Sequence, residues 1–150
     1  MAKKVCLSGF FDPIHPGHIR YIQEAAKLGD VYIILNTDDQ LMMKKGYVFM
    51  PFHERKEVLL NIKNVVDVID CIDTDYTSSK TLELIKPDMF LKGGDRRLGN
   101  IPERETCERL GIEMIFGVGG YDKPQSSSWL VEKFIQKLKT DKDFRRKHGL

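Results

Sequence analysis

Two histidines separated by a proline and a glycine, His15-Pro16-Gly17-His18, stand directly after a short apolar run, Val5 to Phe11. A helix opening at that point presents unpaired N–H groups and the positive end of its dipole, an arrangement that favours phosphate. Gly17 lets a ligand approach the backbone, and an imidazole on either side adds hydrogen-bond donors for the same polyphosphate. The turn from Gly9 to His18 matches neither G-x-x-x-x-G-K-[ST] nor G-x-G-x-x-G, so the two familiar phosphate loops are absent. Two other readings compete. The histidines suit a turn position and a first-turn polar position without further role, and His-x-x-His spacing is permitted for zinc. No cysteine or carboxylate cluster completes a zinc site nearby in sequence.

The elements that must position this turn alternate between strand and helix. Val5 to Phe11 suits a buried strand, broken at Asp12-Pro13 and again at His15-Pro16-Gly17. Ile19, Ile22, Ala25, Ala26 and Leu28 recur at helical spacing over residues 17–28, and Gly29 suits a helix stop. Strands follow at 31–35, 65–72, 89–91 and 112–118. Helices are expected at 52–62, around Leu82 to Ile85, at 102–110 and at 129–138, with Asn36 to Met50 left as a polar stretch. Strands and helices in strict succession imply one α/β domain whose five-stranded parallel sheet is covered by helices on both faces. Ligands of such sheets collect at the carboxyl ends of the strands.

The chain has 150 residues, 41% of them apolar and 31% charged, enough for a single core and far from a disordered composition. Its 24 Lys and Arg against 22 Asp and Glu give a formal charge of +2, too balanced for a protein that coats nucleic acid. The positive excess is local, because residues 132–150 carry seven basic and three acidic side chains. Residues 139–150 are accordingly assigned to a basic tail that frays beyond a domain of residues 1–138. Cys6, Cys71 and Cys107 are an odd count without paired spacing, which suits a reducing cytoplasm rather than a disulfide framework. No apolar run is long enough for a signal peptide or a membrane span.

Beyond His15-Pro16-Gly17-His18, the chain carries Ala26-Lys27-Leu28-Gly29-Asp30, Asn36-Thr37-Asp38, Lys44-Lys45-Gly46, Glu54-Arg55-Lys56, Lys86-Pro87-Asp88, Lys92-Gly93-Gly94-Asp95 and Ser126-Ser127-Ser128. In order and spacing these segments resemble the HxGH nucleotidyltransferases, especially the small cytidylyltransferase-like group, over residues 4 to about 136. The resemblance implies a Rossmann-like domain. Two branches look similar, glycerol-3-phosphate cytidylyltransferase and the heptose-1-phosphate adenylyltransferase domain. Lys92-Gly93-Gly94-Asp95 stands as in the heptose branch, and the stretch 120–125 lacks the arginine that the glycerol phosphate branch places before its serine-threonine motif. Ser126-Ser127-Ser128 departs from the Ser-Thr-Thr of both.

The resemblance implies transfer of a nucleoside monophosphate from a nucleoside triphosphate, ATP favoured, to a small sugar phosphate such as heptose 1-phosphate, with CTP-dependent transfer to glycerol 3-phosphate or a related polyol phosphate as the alternative, Mg²⁺ as cofactor and a homodimer as the working form. A non-catalytic nucleotide-binding module is the alternative of another class. No membrane and no nucleic acid is expected as partner. His15 and His18 would contact the triphosphate, with Lys44 or Lys45 reaching over it as a point charge. Gly9, Phe10, Phe11 and Gly17 would border the nucleotide. Lys92, Gly93, Gly94 and Asp95 would reach base or ribose, and Ser126, Ser127 and Ser128 would cap a helix facing the phosphates. Asp12 would orient the acceptor or a metal, and Arg55 would bind acceptor phosphate or hold a salt bridge. Mg²⁺ would bind mainly through phosphate oxygens.

Overall fold

Every strand that the apolar runs predict is present in a computed structural model, which describes residues 2–93, 101–120 and 125–150. The strands are β1 (Lys4–Gly9), β2 (Asp30–Leu35), β3 (Val65–Asp70), β4 (Met89–Gly93) and β5 (Glu113–Val118). They form one parallel sheet in the order β3-β2-β1-β4-β5. The chain starts at the centre, builds outward through β2 and β3, then returns across β1 to lay down β4 and β5. That reversal opens a crevice at the carboxyl ends of β1 and β4, the place where ligands of such sheets bind.

Period-two side-chain alternation gives the sheet two buried faces. On one, Val5, Leu7, Val31 and Ile33 pack with Ile22 and Ala25 of α1 (Pro16–Ala26) and Leu59 of α3 (Phe52–Leu60). On the other, Cys6, Ile34 and Phe90 pack with Leu82 of α4 (Ser79–Ile85) and Cys107 of α5 (Arg104–Leu110). Burying one such aliphatic side chain contributes about 1.5–3 kcal/mol, so helices are held to both faces. Burial also raises the Cys6 thiol to about 12 and the Cys107 thiol to about 11, which keeps them protonated and unreactive.

The polar stretch between β2 and α3 contains a helix that periodicity does not reveal, α2 (Asp38–Lys45). It starts with a capping box. Thr37 Oγ1 accepts from the Gln40 amide at 3.1 Å, and Gln40 Oε1 accepts from the Thr37 amide at 2.8 Å. Asp38 and Asp39 sit in the first turn and Lys44 and Lys45 in the last, which suits the helix dipole, and Gly46 ends it at φ +80°. At the C-terminus α6 spans Ser127–Thr140, longer than its apolar spacing indicates. The basic segment beyond it carries a further helix, α7 (Lys142–Lys147), in which the Phe144 ring meets Phe134 edge-on at 5.8 Å. No helix among the described residues is long and apolar enough to cross a membrane.

Candidate functional site

The turn between β1 and α1 is organised by its two histidines. His15 is the N-cap of α1, its Nδ1 accepting from the Gly17 amide at 3.1 Å, while His18 Nδ1 accepts from the His15 amide at 3.2 Å. This is a capping box with imidazoles in place of the usual hydroxyl and carboxamide. The rings stack with centroids 3.8 Å apart and planes at 26°. Because each Nδ1 accepts, each neutral ring carries its proton on Nε2. Burial, then the neighbouring His15 and Lys45, hold His18 down to about 3, so the ring is a neutral donor at physiological pH. The capping role falls on the same residues to which the sequence resemblance assigns phosphate contact. Gly17 directs its amide to His15 Nδ1.

Phe11 supports the pair from below, its buried ring 4.8 Å from that of His18. Its backbone is left-handed, at φ +53°. Gly9 makes room for that ring, since a Cβ there would lie 3.0 Å from Phe11 Cε2. Gly93 allows a second close approach, because a Cβ would meet the Val118 carbonyl oxygen at 3.1 Å and the Tyr21 ring at 3.3 Å. Gly9 and Phe11 therefore shape the turn by packing, and Gly93 lets β4 approach β5 and α1. Gly94 and Asp95 lie outside the described residues.

Lys44 and Lys45 project to different places. Lys45 Nζ lies 3.5 Å from the Asp12 carbonyl and 5.9 Å from the Phe10 ring centroid, on the histidine side. Burial lowers its pKa against the opposing pull of Asp12, with Arg55 and Lys44 adding to the lowering. Lys44 instead stands over the Tyr76 ring at 5.2 Å. It lines a cavity of about 260 Å³ at the β1–β4 crevice, together with Ser8, Asn36, Lys92 and Glu103. Lys92 is 7% exposed, and its Nζ donates to Ser8 Oγ at 3.4 Å.

The amino end of α6 docks on the histidine turn, where Ser127 Oγ donates to the Pro13 carbonyl at 2.7 Å. Ser126 is the N-cap without a side-chain cap bond, and Ser128 is exposed. Of the three serines, Ser127 thus uses its hydroxyl to fasten the helix.

Asp12 and Arg55 differ from the acceptor-binding role that sequence assigns them. Both are fully buried. The Asp12 carboxylate accepts from the Phe49 and Met50 amides, each at 2.7 Å. Arg55 donates to the Met50, Phe10 and Asn36 carbonyls at 2.9, 2.7 and 2.9 Å, and to Asp38 at 2.6 Å. A buried guanidinium needs such a set of acceptors, so the pair ties the β1 turn to α2 and α3 instead of facing a ligand. Glu103 is the residue that sequence reasoning passed over. Its only signal is an acidic side chain beside Pro102 at a helix start, which any solvated first turn would share. Among the described residues no group of three or more His, Cys, Asp or Glu is placed to hold a metal ion.

The cytidylyltransferase-like family model matches residues 6–115, which include the histidine turn, α2 and β4. Bifunctional protein HldE of Citrifermentans bemidjiense is 34% identical over 141 residues, 89% of this chain and 27% of that protein. The chain thus spans about a quarter of the length of that relative. FAD synthase of Ferroglobus placidus is 34% identical over 111 residues, covering 74% of this chain and 72% of its own. The crystal structure of the lipopolysaccharide core biosynthesis protein from Thermoplasma volcanium superposes with a TM-score of 0.65 at 28% identity. It covers 81% of this chain and 100% of its own. With the family model covering most of the chain and the histidine turn at the head of α1, the protein belongs to the cytidylyltransferase-like family of nucleotidyltransferases.

Proposed function

We propose that this chain transfers a nucleoside monophosphate, AMP in preference, from the triphosphate to a small sugar phosphate such as heptose 1-phosphate, with release of pyrophosphate. The observation that carries the reading is the His15–His18 pair, mutually capped at the start of α1 with Lys45 beside it. A phosphate oxygen of the acceptor attacks the α-phosphorus, and the bond to the oxygen bridging α and β breaks as pyrophosphate departs. The second ionisation of a phosphate monoester lies near 6, so the nucleophile is already charged at neutral pH and no strong base is needed. What the reaction needs is positioning and stabilisation of charge. His18 supplies a neutral Nε2–H donor whose state does not change across physiological pH, the α1 amino end supplies its dipole, and Lys45 supplies a half-buried positive charge.

Magnesium enters this reading as the counter-ion of the triphosphate. The Asp12 carboxylate is engaged by two amides, so the donor set suits a metal held through phosphate oxygens rather than a protein cage. Adenine is favoured by Lys92-Gly93, which opens the segment resembling the heptose branch, and by a relative named for making FAD, an adenine dinucleotide. A homodimer is part of the same reading. The test is a matrix of ATP, CTP, GTP and UTP against heptose 1-phosphate, glycerol 3-phosphate and other phosphate monoesters, scored by magnesium-dependent pyrophosphate release. ATP with a sugar phosphate is expected to lead. Preference for CTP with glycerol 3-phosphate would keep the chemistry and overturn the substrates, and no release with any pair would favour a binding module.

A further inference from the structure

Glu103 is the N-cap residue of α5 and lines the cavity at the β1–β4 crevice. It is 4% exposed. One carboxylate oxygen, Oε1, accepts from the Ser78 amide at 3.1 Å. The other, Oε2, is buried and has no hydrogen-bond partner, alone in this among side-chain atoms of the described residues. A buried acceptor without a donor destabilises the fold. Glu103 borders the cavity, so a small turn of its carboxylate would present Oε2 to a donor held there. The same cavity is lined by Lys44 and Lys92. It therefore offers positive charge for a phosphate and a carboxylate that repels phosphate but accepts from hydroxyls. An ionised carboxylate can only accept, so its complement is an O–H or N–H donor.

We propose that Glu103 is a specificity-determining residue that accepts hydrogen bonds from the hydroxyls of a phosphorylated sugar or polyol whose phosphate lies against Lys44 and Lys92. The proposal rests on reading the chain as a transferase with a phosphorylated acceptor. The opposite charges in one cavity orient that acceptor, with its phosphate towards the lysines and its hydroxylated carbons towards α5. A ribose could supply the same hydroxyl chemistry from the nucleotide, and the measurements below separate the two sources.

Wild-type protein and Glu103→Gln are titrated calorimetrically with heptose 1-phosphate, glycerol 3-phosphate, inorganic phosphate, ATP and 2′,3′-dideoxy-ATP. Gln retains an acceptor for the Ser78 amide and removes the charge. Affinity for the polyol phosphate that binds best is expected to fall about tenfold or more, the effect of losing a hydrogen bond to a charged group. Affinity for ATP should stay within about twofold, and affinity for inorganic phosphate should be equal or higher, because the carboxylate that repels it is neutralised. Thermal stability should be equal or higher, because the unpartnered buried charge is gone; a purely structural Glu103 would instead give a lower melting temperature and unchanged affinities. Glu103→Asp, which keeps the charge, should recover part of the lost affinity. The proposal is overturned if neither polyol phosphate binds wild type better than inorganic phosphate, or if Glu103→Gln leaves the better one unchanged. It is also overturned if Glu103→Gln weakens ATP but not dideoxy-ATP, which would give the carboxylate to the ribose. Binding needs no turnover. Glu103-dependent binding without pyrophosphate release would therefore remove the transferase reading alone, while turnover with unaltered acceptor affinity in Glu103→Gln would remove this proposal alone.

Discussion

His15 and His18 together close the start of α1, His15 Nδ1 accepting from the Gly17 amide and His18 Nδ1 from the His15 amide, with the rings stacked at 3.8 Å. The turn is thus built from the two residues proposed as phosphate donors, and on that proposal a substitution at either position has a structural and a chemical consequence. The two can be separated by the choice of replacement.

His18→Ala is expected to lower kcat by roughly 10²- to 10³-fold, the usual effect of losing a charge-stabilising donor. His15→Ala should also lose about 0.5–2 kcal/mol of stability with its cap. His15→Asn restores a good N-cap residue and should recover the melting temperature but not the rate. Steady-state kinetics beside thermal melts decide this, and near-normal kcat in His15→Asn would leave that residue a cap and nothing more.

The pH dependence follows from the depressed His18. The unfolded chain takes up a proton on this residue near 6.5, whereas the native chain does so only near 3. The stabilising contribution of its neutral state is therefore complete above about 6.5 and is lost as pH falls through that window towards 3. Denaturant midpoints measured from pH 7.5 to 4 should decline less in His18→Ala than in wild type. Activity should show a different acid limb, near 6, set by the acceptor's phosphate rather than by His18. Changing to an acceptor whose phosphate has a lower second pKa should move that limb, and a limb that stays in place would assign it to the protein.

Arg55→Met is expected to destabilise the fold by about 3 kcal/mol or more, because the Met50, Phe10 and Asn36 carbonyls lose their donor. Asp12→Asn should act in the same direction but less, and should speed amide exchange at Phe49 and Met50. An acceptor-binding Arg55 or Asp12 would instead raise the acceptor KM at unchanged melting temperature, so both quantities are measured on the same protein.

The strand–helix alternation, the parallel sheet and the placing of the histidine turn after β1 are legible in the chain alone, because apolar runs and Gly and Pro stops are local signals. The chain also held the Thr37-x-x-Gln40 signature of α2, which a reading by apolar periodicity overlooks since only Gln40 and Leu41 of that helix are buried. The tertiary structure decided what the charged residues do. Asp12 and Arg55 have the residue types of ligand-binding groups, yet the partners that turn them inward are, apart from the Asp38 carboxylate, backbone atoms of segments as far as 45 residues away. Lys44 and Lys45 are adjacent in sequence, and only the helical rotation between neighbours sends one to the β1–β4 cavity and the other to the histidines. Glu103 became visible for the same reason, since an oxygen without a partner is a property of everything folded around it and leaves no trace in the chain's order.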